Sequence, residues 1–331
     1  MHLSFLITFV LALLLPFATT AQSLDGSLGN TDPFTISVNP QYPTPYSQAS
    51  LSFLSSTLDL TNAVMTVSVG GKQIYKGSVR PIAVPLGGAG SMTSVVVTIT
   101  SADTPYSQSL AIQPQDVSLI AEPVASAPAL YLGKPLIPLE GNVRVVAVAN
   151  VRDATGKVVA PANLSYLWTV DGTRIANSSG IGKNVVIVAS PLQYRERPVS
   201  VTIQSQNGSL VGGADLSLVA SEPSVRIYAN DPLLGIRFDR ALFSTHAISG
   251  TEAALYAAPF SLSILGGAPR LQWFLNGTSA QTGSSITLRP AGSGQGNASL
   301  SLTASAGASA MATASLSLSF GAAQSSNFFG L

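Results

Sequence analysis

The chain has 331 residues, of which 16 are Lys or Arg and 15 are Asp or Glu, so charged residues make up 9% where soluble domains usually hold about a quarter. It contains no cysteine, which excludes disulfides, thiol nucleophiles, cysteine-bound zinc and a lipid-carrying cysteine. A net charge of +1, with no basic cluster beyond Arg195-Glu196-Arg197, excludes the electrostatic footprint of a nucleic-acid-binding protein.

The first 21 residues predict a secretory signal peptide. An apolar run extends from Leu3 to Leu15, and Pro16 and small residues up to Ala21 follow it. Such a run is short for a membrane span, and the small residues suit cleavage after Ala21. An uncleaved N-terminal anchor is the alternative. Under both interpretations the rest of the chain is exported, so we expect an extracellular or envelope-associated location.

The rest of the chain shows one pattern three times. Gly70-Gly71, Asp171-Gly172 and Asn276-Gly277 each stand between apolar runs, roughly 100 residues apart, which is the size of one β-sandwich domain. These dipeptides favour two-residue type I′ hairpins, because both central residues take positive φ there. We predict a signal peptide at 1–21, β-sandwiches at 31–115, 116–222 and 223–321, and a C-terminal tail at 322–331.

Local patterns predict an all-β fold. After the signal peptide no long stretch keeps a helical apolar period, and Gly and Pro occur throughout. Alternation of small or apolar residues with Ser and Thr from Ala312 to Phe320 is typical of a strand with one buried face. The boundaries Gln113-Pro114-Gln115 and Ser221-Glu222-Pro223 are short, so we expect a semi-rigid rod of modules.

The two tryptophans carry a resemblance to a known architecture. Trp168 and Trp273 both precede a predicted hairpin turn, in Leu167-Trp168-Thr169-Val170 and Gln272-Trp273-Phe274-Leu275. Each is similar to the core tryptophan of immunoglobulin-like sandwiches, and Tyr166-Leu167-Trp168 resembles the Tyr-x-Trp of polycystic-kidney-disease (PKD) modules. In the first unit, Met65 or Val67 stands in place of the tryptophan. The resemblance implies tandem core-packed sandwiches of the kind found in bacterial surface modules, adhesin stalks and wall-associated spacers.

Residues that carry chemistry are sparse. His246 is the only histidine after the signal peptide, and no Gly-x-Ser-x-Gly elbow accompanies it. No Asp-x-Asp calcium loop occurs. The glycine-rich runs at 87–90 and 292–296 lack the lysine of a phosphate loop. We expect no catalytic residue, no metal and no cofactor.

Contact residues are the remaining candidates. Arg237-Phe238-Asp239-Arg240 and Tyr194-Arg195-Glu196-Arg197 suit contacts with glycan or protein. Phe328, Phe329 and Leu331, beyond the last predicted strand, form a possible docking peptide or a self-covering tail.

The sequence therefore predicts an exported, non-enzymatic structural or adhesive module of the cell surface or of a surface appendage. It would act as a semi-rigid spacer and a protein-contact surface, with its own copies or an envelope neighbour as the first expected partner. A carbohydrate-binding or glycan-hydrolysing envelope protein is the alternative. An outer-membrane β-barrel is the second alternative, prompted by the mean hydropathy of +0.37.

Overall fold

The computed structural model describes residues 32–129, 131–291, 295–307 and 310–321. The predicted signal peptide 1–21, the tail 322–331 and its residues Phe328, Phe329 and Leu331 lie outside the described residues. The all-β prediction is confirmed: the described residues form strands, with 3-10 turns at Pro161–Asn163 and Ala176–Ser178 and no α-helix.

The chain divides into two compact units. Among the described residues, unit 1 comprises 32–39, 48–85 and 92–112, and unit 2 comprises 40–47, 86–91 and 113–321 with the same gaps. Each predicted sandwich range contains two sheets, which we call the first, second and third sandwich. The second and third sandwiches both belong to unit 2.

The first sandwich contains strands β1 to β7. Their bounds are β1 Thr35–Asn39, β2 Gln48–Leu54, β3 Val64–Val69, β4 Lys72–Ser78, β5 Ile82–Pro85, β6 Thr93–Ser101 and β7 Thr104–Ile112. They form antiparallel sheets in the orders β1-β2-β5 and β4-β3-β6-β7. Alternate residues of β2, β3 and β6 are buried, which places a valine- and leucine-rich core between the sheets.

The second sandwich contains strands β8 to β15. Their bounds are β8 Asp116–Pro123, β9 Asn142–Asn150, β10 Ser165–Val170, β11 Thr173–Arg174, β12 Gly180–Ile181, β13 Val185–Ala189, β14 Glu196–Gln204 and β15 Val211–Val219. The sheets have the orders β13-β9-β8 and β11-β10-β14-β15, and β12 also pairs with β10. Valines of β9, β13 and β14 pack around Trp168 in one core.

The third sandwich contains strands β16 to β24. Their bounds are β16 Ser224–Asp231, β17 Gly235–Leu242, β18 Ser244–Ile248, β19 Ala253–Phe260, β20 Arg270–Leu275, β21 Thr278–Thr282, β22 Ser285–Leu288, β23 Gly296–Ala306 and β24 Ala310–Phe320. The sheets have the orders β17-β16-β19-β22 and β18-β24-β23-β20-β21. The β18–β24 pair is parallel, and the core surrounds Trp273.

Candidate interaction surfaces

The three predicted hairpin turns have the same backbone geometry. Both central residues of each turn have positive φ, from 50° at Asn276 to 82° at Gly71. The flanking pairs are Val69↔Lys72, Val170↔Thr173 and Leu275↔Thr278, as a two-residue turn requires. The φ values of the six turn residues are Gly70 57°, Gly71 82°, Asp171 51°, Gly172 76°, Asn276 50° and Gly277 78°.

The polar turn residues also secure the neighbouring strand. The Asp171 carboxylate accepts a hydrogen bond from Arg197 Nε at 3.0 Å, and Asn276 Oδ1 accepts one from the Ser299 N–H at 2.8 Å. In both sandwiches the turn is therefore tied by its first central residue to the strand that pairs with it. The sequence pattern predicted the turn but contained no sign of these ties.

Trp168 and Trp273 are completely buried, each at the centre of its core. Their indole N–H groups donate to backbone carbonyls, of Lys183 and of Gly283, both at 2.9 Å. Each tryptophan stands four residues before the turn glycine, and Val67 holds that position in the first sandwich. The buried indoles serve packing, and their single polar atoms are satisfied.

The second and third sandwiches are joined by a short backbone ladder. Beyond β8 the chain continues as Val124–Ser126, which runs antiparallel to Ser261–Ile264 directly after β19. The Ser126 N–H donates to the Leu262 carbonyl at 2.7 Å, and the Leu262 N–H donates to Ser126 Oγ at 3.1 Å. Leu262 is completely buried and Ser126 nearly so. We call these two segments the junction.

The junction contains one strained position. Ser261 has a φ of 58°, which a non-glycine residue adopts at an energetic cost. Its hydroxyl is buried and has no hydrogen-bond partner among the described residues. Its neighbour Phe260 is closely packed: Tyr131 meets the Phe260 ring edge-to-face at 5.6 Å, and the Arg226 guanidinium lies 5.6 Å from the ring centre. Ser261 itself donates its N–H to the Ser126 carbonyl at 3.2 Å.

Both predicted linkers are fixed by hydrogen bonds within unit 2. The side-chain amide of Gln115 is buried and pairs with the Arg152 backbone, donating at 2.9 Å and accepting at 2.8 Å. At the second boundary, Ser221 N–H donates to Ile137 O at 2.8 Å. The Glu222 carboxylate accepts from Tyr194 Oη at 3.1 Å and thereby raises the pKa of Tyr194.

An apolar groove runs along the second sandwich. It has a volume of about 410 Å³ and lies between β8, residues 134–137 and the end of β15. Leu119, Leu136, Ile137, Leu216 and Val219 line it, and Lys134 is its only charged lining residue. No group of three His, Asp or Glu placed to hold a metal ion occurs among the described residues.

The third sandwich contains an additional hairpin that exposes two leucines. β16 and β17 are joined through Pro232 to Leu234, and Leu233 and Leu234 are 93% and 69% exposed. The Asp231 carboxylate accepts hydrogen bonds from both leucine N–H groups, which lowers the pKa of Asp231 and fixes the turn. The return of the chain as β17 was not predicted from the sequence.

Two oppositely charged residues of β17 pair with each other. Arg237 binds Asp239 through two contacts of 3.0 and 3.1 Å. Phe238 packs edge-to-face between Tyr228, at 5.2 Å, and Tyr256, at 6.0 Å. The register of β17 against β16 shifts here, so the exposed edge is irregular and poorly suited to strand addition.

His246 lies on β18, opposite Leu318 of β24, and is half-buried. Desolvation lowers its pKa from the usual 6.5. The described part of the chain contains no helix with the length and apolar character needed to cross a bilayer.

These sheets and cores define a protein of tandem immunoglobulin-like β-sandwich domains. No protein-family model matches the chain, and no curated protein matches it by sequence. Among solved structures, the central fibronectin-III array of RIM-binding protein is 8% identical with a TM-score of 0.30, over 88% of this chain and 98% of that one.

The three N-terminal domains of the highly immunogenic outer capsid protein of bacteriophage RB49 are 11% identical with a TM-score of 0.25, over 87% of this chain and 98% of that one. The four N-terminal Ig domains of Dscam1 are 11% identical with a TM-score of 0.23, over 86% and 73%. Such values are too low to transfer a function to this chain.

Proposed function

We propose that this protein is an exported, non-enzymatic structural or adhesive module of a cell surface, which acts as a semi-rigid spacer and presents a surface for protein contacts. The observation that carries the proposal is the junction. A spacer must resist bending between its modules, and domains in one chain normally move relative to each other unless a substantial interface holds them. Here backbone hydrogen bonds, buried on both sides, join the second sandwich to the third.

The composition supports the same role. A surface with few charges and many Ser and Thr residues is poorly defended against association with other chains. A protein with this composition functions best when it is packed against a neighbour. The apolar groove and the exposed leucine turn are two surfaces on which such contacts can form.

Pulsed dipolar spectroscopy tests the stiffness of the junction in the whole chain. Because the protein has no cysteine, the double variant Ile187→Cys/Ser285→Cys carries one spin label on β13 and one on β22. Both positions are exposed, so labelling should leave the fold unchanged. We expect one narrow distance distribution, and a broad one contradicts the spacer role.

Two variants at Ser126 test whether the backbone hydrogen bonds of the junction, and not substitution at this position as such, keep the distance distribution narrow. Ser126→Pro removes the N–H that donates to Leu262 O, and we expect the distance distribution to broaden. Ser126→Ala keeps the N–H that donates to Leu262 O but removes the hydroxyl oxygen that accepts from the Leu262 N–H, so the distribution should broaden less than in Ser126→Pro. Protease treatment of intact cells tests export, because an exported chain is cleaved there and an internal one is protected.

A further inference from the structure

Strand β13 forms an open edge of the smaller sheet of the second sandwich. In the described part of the chain β9 is its only strand partner, within the order β13-β9-β8. Just before β13, Asn184 O accepts from the Ala147 N–H at 2.8 Å. Just after it, the Ser190 N–H donates to Gly141 O at 2.9 Å. Even-numbered residues therefore bond to β9, and the backbone groups of the odd-numbered residues point to the open edge.

These odd-numbered residues are Val185, Ile187 and Ala189. The Ala189 carbonyl accepts from Arg197 Nη1 at 2.6 Å and keeps a second lone pair. The outward N–H and C=O groups of Val185 and Ile187 have no hydrogen-bond partner among the residues that the structure describes. A row of unpaired groups of this kind is a template for another strand.

The corresponding edges of the other two sandwiches are protected. β5 and β22 each stand at the end of the smaller sheet of their sandwich. β5 ends at Pro85, which has no N–H to offer an added strand. β22 turns Ser285 and Thr287 to the outside, and their hydroxyls suit contact with water. Proline and polar side chains are common means of preventing pairing at a sheet edge.

β13 has none of these protections. It spans Val185–Ala189 with the sequence Val-Val-Ile-Val-Ala, and it carries no charge and no proline. Its register against β9 is regular, without a bulge. The Ile187 side chain at its centre is 63% exposed, while Val186 and Val188 are buried in the core. The edge is therefore both open and apolar.

We propose that β13 pairs antiparallel with β13 of a second copy of this chain, about a two-fold axis at Ile187. In this register Ile187 lies opposite its own counterpart, and Val185 lies opposite Ala189 of the second copy. All three residues then exchange backbone hydrogen bonds across the edge. The two smaller sheets become one continuous sheet with the order β8-β9-β13-β13-β9-β8.

The composition of β13 favours its own copy as the partner. In a two-fold pair the central side chain faces itself, so a charge there would meet a like charge. Ile187 instead forms an apolar β-branched pair with its counterpart. The nearest charge on the sheet is that of Arg144, opposite Ile187 on β9. It is paired with Glu122 of β8, on the side away from the open edge.

The contact is small and closes on itself. Five residues of edge strand bury much less than the roughly 800 Å² per partner of a standard interface, so we expect reversible association that increases where copies are crowded. An isologous pair gives dimers and no longer chains. This inference rests on the proposed function and deepens it, because it names a second copy as a partner of the protein-contact surface.

Sedimentation of the full chain measures the pairing. We expect a reversible equilibrium between monomer and dimer. Ile187→Lys places like charges opposite each other at the two-fold axis and should raise the dissociation constant at least about tenfold. Thr287→Lys, exposed on the corresponding edge strand β22, is the matched control and should leave it unchanged. A chain that stays monomeric, or a dimer that Ile187→Lys does not weaken, overturns the proposal.

Cysteine cross-linking locates the contact. The protein has no cysteine, so Ile187→Cys gives each copy a single thiol. Opposite residues that exchange hydrogen bonds have Cα atoms about 5.5 Å apart, so a short bis-maleimide should join two copies into a covalent dimer. Thr287→Cys should remain monomeric. No cross-link at Ile187→Cys, or equal cross-linking of both variants through random collisions, overturns the proposal.

The pairing and the spacer role fail separately. A spin label on residue 187 blocks the pairing, so the distance across the junction is measured within single copies. A narrow distance together with a monomeric unlabelled chain would support the spacer and overturn the pairing. A broad distance together with a dimer that Ile187→Lys weakens would contradict the spacer and support the pairing.

Discussion

The second and third sandwiches have the same core plan but different edges, and the difference originates in one connection. In the third sandwich the chain between β16 and β19 forms the β17 hairpin and then β18, which covers β24. In the second sandwich the chain between β8 and β9 leaves to form the junction and returns. On its return the segment 134–137 lies beside the end of β15, and Ile137 O accepts a hydrogen bond from the Ser221 N–H. The second sandwich thus closes this edge with an irregular segment where the third uses the regular strand β18.

Replacing the two tryptophans should have the largest effect on stability, and it tests whether the second and third sandwiches have equivalent cores. Trp168→Ala and Trp273→Ala each remove a completely buried indole and its hydrogen bond to a carbonyl. We expect each to lower the free energy of unfolding of its sandwich by about 3–5 kcal/mol. Chemical denaturation followed by circular dichroism measures the loss in each variant, and fluorescence of the remaining tryptophan follows the unsubstituted sandwich as an internal control. A cost below about 1 kcal/mol at either site would show that the cores are not equivalent.

The turn glycines test the comparison on a smaller scale. Gly172 and Gly277 have φ values of 76° and 78° with open space around them. An added methyl group would therefore strain the backbone without clashing with any neighbouring atom. Gly172→Ala and Gly277→Ala should each cost about 1–2 kcal/mol in thermal unfolding. Gly266→Ala, which has no positive φ and also faces open space, should be close to neutral. A clear difference between Gly172 and Gly277 would mean that the two hairpins are held differently.

The smallest expected effect is a pH dependence of thermal stability that only the third sandwich should show. His246 belongs to the third sandwich, and burial lowers its pKa below 6.5. The unfolded chain therefore binds a proton more readily, so the stabilisation is complete above about pH 6.5 and is lost as the pH falls below that value. Melting temperatures between pH 7.5 and 5 should decrease for the third sandwich alone.

His246→Gln should remove that decrease. The carboxylates of Asp153, Asp231 and Asp239 have lowered pKa values and titrate below 3.8, outside this window. A decrease that persists in His246→Gln would assign the effect to other groups.

The sequence predicted the features whose causes are local. The turn dipeptides demand positive φ, and the period-2 alternation of β24 follows from one buried face, so both are visible in a few neighbouring residues. The junction joins Ser126 to Leu262, 136 residues away, through backbone groups that every residue carries. No side-chain pattern marks it. The β17 hairpin has a turn signature in Asp231-Pro232 and Gly235, but this signature was not recognised in the sequence.

The groove could not be predicted for a related reason. It lies between β8, residues 134–137 and the end of β15, and residues 134–137 reach this place after the chain has paired residue 125 with residue 263. No side-chain pattern in the sequence marks that course.

The distance along the chain between the two halves of the junction sets an order of assembly. Residues 124–126 are synthesised well before residues 261–264, so the second sandwich can form its core first but must wait for the segment after β19 of the third to complete its last contacts. Until then Ala125 and Ser126, buried in the finished protein, are exposed. Folding of this protein is thus completed from the C-terminal side, and a stalled chain that ends before residue 261 would display an unpaired strand to any chaperone or protease it meets.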